Sequence, residues 1–209
     1  MQFNLFEEPP KFYASLQELI DEMMQMDDDP LADAGTNVVI CRGNPQAELM
    51  LVGEAPGPEE NKRGKPFVGR SGQLLDQILE AANFDPEKDV FISNSVFRMP
   101  PGEGDKNFRK PTNEEIEHYK PYLLEIIRLV DPKIMLLIGN VATQSILGKT
   151  GITKLRGQWF DWNGRHVMPI FHPSYLLRNP TRTPGSPKAL TWQDFKEVRR
   201  KYDELVGGE

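Results

Sequence analysis

One cysteine, Cys41, stands among the 209 residues. It has no partner for an internal disulfide, and one thiol cannot supply the set that a zinc or iron–sulfur site demands. Histidine is scarce as well. His118, His166 and His172 are scattered, with no HxH or HxxxH pair, so no protein-only metal site is expected. Long apolar runs are missing: nothing approaches the roughly 18–20 residues that cross a bilayer. The first residues, MQFNLFEEPPKFY, lack the charged-then-apolar order of a signal peptide. A cytoplasmic location and no membrane partner are therefore expected. Neither GxGxxG nor the P-loop pattern occurs, which argues against a dinucleotide or nucleoside triphosphate. No internal repeat or low-complexity tract appears.

What is present suits one globular domain over residues 1–209, with 38% hydrophobic residues and a monomer expected. The net charge of −6 at first argues against a nucleic-acid partner. Its distribution says otherwise. Residues 1–35 hold nine acids against one base, a net of −8, so residues 36–209 carry +2 of the chain's −6. The bases gather in loops, at Lys62, Arg63, Lys65 and Arg70, at Lys106, Arg109 and Lys110, and at Arg178, Arg182 and Lys188. Such grouping fits a surface that faces phosphates, and equally a solvated mixed-charge surface.

Residues 1–13 read as a flexible arm closed by Pro9-Pro10. SLQELIDEMMQM (15–26) reads as an amphipathic helix capped by Ser15, with Glu18 at capping-box spacing. AELMLVG (47–53), DVFISNSVFRM (89–99) and PKIMLLIGN (132–140) read as strands. SGQLLDQILEAANF (71–84), VATQSILG and SPKALTWQDFKEVRRKYDELV (186–206) read as helices. PTNEEIEHYKPYLLEIIRLV (111–130) is helical too, with Pro121 expected to kink or split it. QWFDWNGRHVMPIF (158–171) carries Asn163-Gly164, a hairpin signal. Strands alternating with helices predict an α/β fold with helices on both faces of the sheet. We expect a three-layer α/β/α sandwich around a central, mainly parallel four-stranded sheet. Ligands bind such sheets at the carboxyl ends of the strands. Three polar loops marked by Pro and Gly, 53–70, 97–111 and 171–187, fall there.

These loops hold GEAPGPEENKRGKPFVGRSGQLL, ISNSVFRMPPG and FHPSYLLRNP. In this order and spacing they resemble the uracil-DNA glycosylase superfamily, nearest to its family 4, over roughly residues 26–200. The resemblance implies a base-excision repair enzyme that hydrolyses the N-glycosidic bond of uracil flipped out of DNA. Phe67 matches the stacking aromatic; the alternative is a core side chain under the loop, and Gly64 and Gly69 around it favour presentation. Asn94 matches the residue that reads the uracil edge. Its amide can donate to O4 and accept from N3–H at once, which separates uracil from cytosine. His172 matches a donor to uracil O2, where negative charge gathers as the bond breaks. Glu54 is the candidate for positioning water or stabilising the sugar cation, with Ala55 where another branch has Asp. Glu60 matches a second acid near the base. Pro100, Pro101 and Gly102, together with Ser174, resemble elements that grip phosphates. Leu176 is placed like the wedge that fills the vacated stack, and Arg178 can hold a phosphate.

The resemblance breaks at one point. Family 4 carries four cysteines that hold an iron–sulfur cluster, and here those positions are Met26, Asp29, Arg98 and Tyr119. No cluster is expected, and an Asp29–Arg98 ion pair is the candidate replacement. The loop GEGDKNFRK is also longer than its family counterpart. Gln2-x-x-Leu5-Phe6 resembles the peptide by which bacterial proteins bind the replication sliding clamp. Two other readings stay open from sequence: a damaged-base binder of the same fold without catalysis, and a small-ligand α/β domain.

Overall fold

The computed structural model describes residues 12–102 and 108–207. Among them, six strands form one sheet: β1 (Cys41–Gly43), β2 (Leu49–Gly53), β3 (Val90–Asn94), β4 (Ile134–Ile138), β5 (Phe160–Trp162) and β6 (Arg165–Ile170). Their order is β1-β3-β2-β4-β6-β5. The middle four run parallel, and β1 and β5 close the sheet as antiparallel edges. The expected four-stranded sheet is thus the centre of a six-stranded one. The two added strands are three residues each, too short to carry a period. β5 belongs to the hairpin announced by Asn163-Gly164, whose φ angles of 51° and 77° supply the two left-handed positions a tight hairpin turn requires.

Alternation along the strands splits the core in two. Leu49, Leu51, Ile92, Leu136 and Ile170 pack with Leu75 and Leu79 of α3 (Arg70–Ala81) and with Phe195 and Val198 of α8 (Pro187–Val206). Met50, Val52, Phe91, Met135 and Leu137 face the other way. They meet Leu19 and Met23 of α1 (Leu16–Met23), Leu123 and Ile126 of α4 (Asn113–Val130), and Ala142 and Ile146 of α5 (Gly139–Leu147). This is the three-layer sandwich. Two short helices, α2 (Pro58–Arg63) and α7 (Pro173–Arg178), lie inside the loops at the carboxyl edge, and α6 (Ile152–Leu155) follows α5.

Helix ends follow the side chains. Ser15 Oγ accepts the Glu18 N–H at 3.2 Å, while the Glu18 carboxylate takes the Ala14 N–H at 2.9 Å. Thr112 and Glu115 close a reciprocal capping box on α4. Two expectations are corrected. α4 is not split at Pro121 but continues through it. That residue is exposed, so the carbonyl left without its N–H partner faces water, while Tyr119, Leu123, Ile126 and Ile127 anchor the opposite face. The arm also ends before residue 13. Tyr13 is only 6% exposed; its N–H donates to Glu125 Oε1 at 3.0 Å and its hydroxyl to Glu22 Oε1 at 2.5 Å. Among the described residues no helix is long and apolar enough to cross a membrane.

Candidate active site

The parallel ladder sets the floor of the site. β2 and β3 pair Gly53 with Asn94, and the ladder continues through Ser95 N–H to Gly53 O at 2.9 Å and Val96 N–H to Glu54 O at 3.1 Å. Glu54 and Asn94 therefore leave the sheet side by side. β4 and β6 end level at Ile138 and Ile170, which brings His172 up two residues later. A cleft of about 1060 Å³ opens over these ends. Glu54, Ala55, Glu60, Phe67, Asn94, His172, Ser174 and Arg178 all line it.

Asn94 is 1% exposed and its Oδ1 has no hydrogen-bond partner. A buried acceptor left unpaired costs about 1–3 kcal/mol. A ligand N–H entering the cleft would satisfy it. Phe67 lies with its ring centroid 6.0 Å from that of His172. Gly53 makes room for both: a Cβ there would strike Asn94 Oδ1 and come within 2.5 Å of Phe67 Cε2.

Phe67 occupies the left-handed region, φ 53°, a conformation that costs an L-residue about 1–2 kcal/mol. Two features hold it. Gly72 lacks the Cβ that would collide with the Phe67 backbone carbonyl. Arg42, buried on β1, donates from Nε to Pro66 O at 3.0 Å and from Nη2 to Phe67 O at 3.4 Å. Its guanidinium is neutralised by Asp76 at 2.5 Å and Glu87 at 3.0 Å. The sequence reading missed Arg42, Gly53 and Gly72. A lone arginine in VVICRG is the signal available for the first.

His172 Nδ1 accepts the Ser174 N–H at 3.1 Å and lies 2.8 Å from Ser174 Oγ. An N–H can only donate, so Nδ1 is unprotonated and the ring proton sits on Nε2. Burial, helped by the charges of Arg178 and Lys110 and opposed by Glu60, pulls the His172 pKa down to about 4. The ring is a neutral donor at physiological pH. Burial raises the Glu54 pKa, and Lys110 pulls it back. Lys110 lines the cleft and acts on both groups. The sequence reading noted it among the loop cations without giving it a place in the site.

Other placements differ from expectation. The Glu60 carboxylate accepts from the N–H groups of Val68 at 2.9 Å, Gly69 at 2.7 Å and Gly57 at 3.2 Å. It staples the loop that carries Phe67 before it meets any ligand. Leu176 is 1% exposed and cannot be a wedge in this conformation. It shares the inner face of α7 with Pro173, three residues earlier. Tyr175 and Leu177 are 39% and 37% exposed and line the cleft instead. Pro100, Pro101 and Gly102 are not themselves part of the cleft lining. The wall is built by the returning residues Phe108, Arg109 and Lys110, joined to Pro101 by a bridge at Phe108.

The four positions expected to replace a cluster meet at one point. Arg98 Nε donates to Asp29 Oδ2 at 2.8 Å, Nη2 to Met26 O at 2.6 Å and Nη1 to Thr36 O. Tyr119 donates its hydroxyl to Asp29 Oδ1, which also accepts the Leu31 N–H at 2.9 Å. Burial and the Asp29 charge raise the Tyr119 pKa, keeping it a phenol donor. A guanidinium occupies the centre and no thiolate is present, so these residues do not fit an iron–sulfur cluster. Among the described residues no group of three or more His, Cys, Asp or Glu side chains is arranged to hold a metal ion.

Comparison with known proteins agrees with this geometry. A profile of the uracil DNA glycosylase superfamily matches residues 41–196. The type-4 uracil-DNA glycosylase of Thermotoga maritima is 43% identical over 153 residues, covering 72% of this chain and 77% of its own. That of Sulfurisphaera tokodaii is 36% identical over 211 residues, 93% of this chain and 91% of its own. That of Archaeoglobus fulgidus is 34% identical over 202 residues, 92% and 94%. The matched segment contains every strand of the sheet and every loop that walls the cleft, and the chain belongs to the uracil DNA glycosylase superfamily.

Proposed function

We propose that this chain excises uracil from DNA, hydrolysing the bond between uracil N1 and the sugar C1′ and leaving an abasic site. The observation that carries this is the orphaned, buried Oδ1 of Asn94, a residue of the cleft lining whose Oδ1 converges with the Phe67 ring over Gly53. A flipped uracil offers what that atom lacks: an N3–H donor, next to an O4 that accepts from the amide nitrogen. Phe67 covers one face of the base. As the N1–C1′ bond breaks, its electron pair moves onto uracil. The His172 Nε2–H donates to O2 and holds that charge, the role of an oxyanion-hole donor. A neutral histidine is suited to this, since it donates without first having to hold a proton of its own against burial. Glu54, at the cleft floor, orients the attacking water toward C1′, and in its carboxylate form supports the cationic sugar and takes the water's proton. Ser174 sets the histidine tautomer, and Arg178 and Lys110 meet the backbone phosphates.

The test is a single-uracil oligonucleotide incubated with the protein and then treated with alkali. Strand cleavage is expected. His172→Ala and Asn94→Asp should each slow it by about 10²–10³-fold, the range for loss of one such donor, with the fold intact. Near wild-type rates in both variants would refute the pocket assignment. Binding without cleavage by the wild type would make the chain a damaged-base binder instead.

We further propose that the chain works as a cytoplasmic monomer without an iron–sulfur cluster, the guanidinium of Arg98 standing at the position a cluster would need. The segment Gln2-x-x-Leu5-Phe6 lies outside the described residues. By its pattern we propose that it docks on the bacterial replication sliding clamp, carrying the enzyme to new DNA. Titration of the clamp of its host with the intact protein and with a Leu5→Ala/Phe6→Ala variant tests this. Modest affinity lost in the variant is expected, because ordering a peptide on docking opposes binding. Equal binding by both, or none by either, would refute it.

A further inference from the structure

We infer that Phe108 stacks on the unpaired base that neighbours the flipped uracil in the same strand, facing the apolar tip of α7 across the cleft. The inference rests on the glycosylase reading above. Phe108 is 51% exposed and lines the cleft. Its backbone is fixed, not trailing. It bridges to Pro101, the next residue's N–H donates to Pro100 O at 3.2 Å, and Arg109 makes a two-pronged pair with Glu115 at 2.6 and 2.9 Å. A large apolar ring is thus held out into water at the mouth of a site for a planar ligand.

The sheet order says where that ring stands. Phe108 returns from the loop after β3, and Tyr175 and Leu177 sit on α7 after β6. Between them lie the ends of β2 and β4; Glu54 and the Phe67 loop follow β2, while Asn94 ends β3 and His172 follows β6. Three strand spacings of about 4.8 Å put the two walls roughly 14 Å apart at the sheet. That spans a flipped nucleotide with a neighbour on either side, stacked nucleotides being about 3.4 Å apart along a strand. Removing uracil from the stack leaves an exposed base face beside the gap. An aromatic ring next to cations is the pairing that single-stranded nucleic acid uses: base on ring, phosphate on cation. Arg109 and Lys110 follow Phe108 directly and also line the cleft.

The experiment compares wild type, Phe108→Ala and Phe108→Trp of the full chain on a single-stranded uracil oligonucleotide, under single turnover at varied protein concentration. Loss of one stacking contact should raise the half-saturating concentration of Phe108→Ala roughly 5- to 100-fold. Its maximal rate should stay within about threefold of wild type, because the ring touches no reacting atom, and Phe108→Trp should restore saturation. An unchanged half-saturation in Phe108→Ala would overturn the inference while leaving the glycosylase reading standing. So would a fall in maximal rate alone. Inactive wild-type protein would overturn the glycosylase reading and this inference with it.

Discussion

Arg98→Ala tests the buried ion pair at the four positions proposed to stand in for a cluster. In the wild type the Asp29 carboxylate is fully buried and accepts from Arg98, Tyr119 and the Leu31 N–H. Removing the guanidinium leaves a buried anion without its cation, and leaves the Met26 and Thr36 carbonyls without their donor. Breaking a buried pair from one side costs about 3–5 kcal/mol. For a chain of this size each kcal/mol moves Tm by roughly 2–4 °C. A fall of about 6–20 °C follows, with the loss concentrated in residues 26–36 and around residue 98. Tyr119→Phe removes one hydrogen bond to a charged acceptor, worth about 1.5–3 kcal/mol. The double variant Asp29→Ala/Arg98→Ala should lose less than the two single variants together, because no charge is left unpaired; the coupling should fall in the range of roughly 0.5–3 kcal/mol.

Urea titrations with fitted m-values measure the stabilities, and hydrogen exchange locates the loss. Protection should fall first and furthest over residues 26–36, the parallel strands losing only what the global stability loses. The reasoning is refuted if Arg98→Ala stays within about 1 kcal/mol of wild type at unchanged m. It is refuted separately by stoichiometric iron in the purified chain, since a guanidinium bonded as Arg98 is leaves no place for the metal.

The pH dependence follows from His172. With its pKa near 4, excision should show no limb near 6.5; a loss at lower pH should report protonation of His172 and of Glu54, whose pKa burial raises. A rate that rises on protonating a group of pKa near 6.5 would refute the neutral donor. The same shift acts on folding. Between about pH 4 and 6.5 the unfolded histidine binds a proton that the folded one does not, so stability rises with pH in that window and is lost as pH falls through it. His172→Gln should flatten this slope in urea titrations across that range, and an unchanged slope would refute the assignment. Gly53→Ala should lower excision about 10²-fold, the scale of a misplacement near 1 Å, because its Cβ enters the space where Asn94 Oδ1 and Phe67 converge. Arg42→Ala should weaken substrate capture more than the maximal rate by releasing Phe67 from its left-handed conformation, with Arg42→Lys restoring little because the guanidinium meets four groups at once. Wild-type kinetics in Gly53→Ala and Arg42→Ala would mean that neither residue positions the pocket.

The residues that carry period and punctuation were legible in the sequence. ELMLV, VFIS and IMLLI are short and apolar on both faces, as strands buried between two helical layers must be. The hairpin was legible in Asn163-Gly164, and the three loops at the carboxyl edge in their Pro and Gly content. What stayed hidden depends on three-dimensional closeness. Leu176 holds the wedge's place in the motif, but only the turn of α7 decides which of Tyr175, Leu176 and Leu177 looks outward. Pro121 breaks helices in general, yet here it falls on the solvent face, where one missing bond is tolerable. Arg42 lies 25 residues before the backbone it holds, and no local pattern links the two. β1 is three residues long and has no alternation to read.

The overall charge hid the site for a different reason. Every residue that lines the cleft lies between 54 and 178, whereas the net −8 belongs to residues 1–35. Among the described residues, that acidic segment contributes nothing to the cleft wall. Its α1 packs on α4, over a face of the sheet. The cleft rim carries Arg70, Arg109, Lys110 and Arg178, while the groups that would read the base, Asn94 and neutral His172, bear no charge. Recognition by uncharged donors and acceptors keeps its strength as salt rises, and only the phosphate contacts weaken. The base contacts then rest on uncharged groups and the phosphate contacts on the charged rim. An acidic total is then consistent with a DNA substrate, because what the DNA meets is the local charge of the cleft and not the sum over the chain.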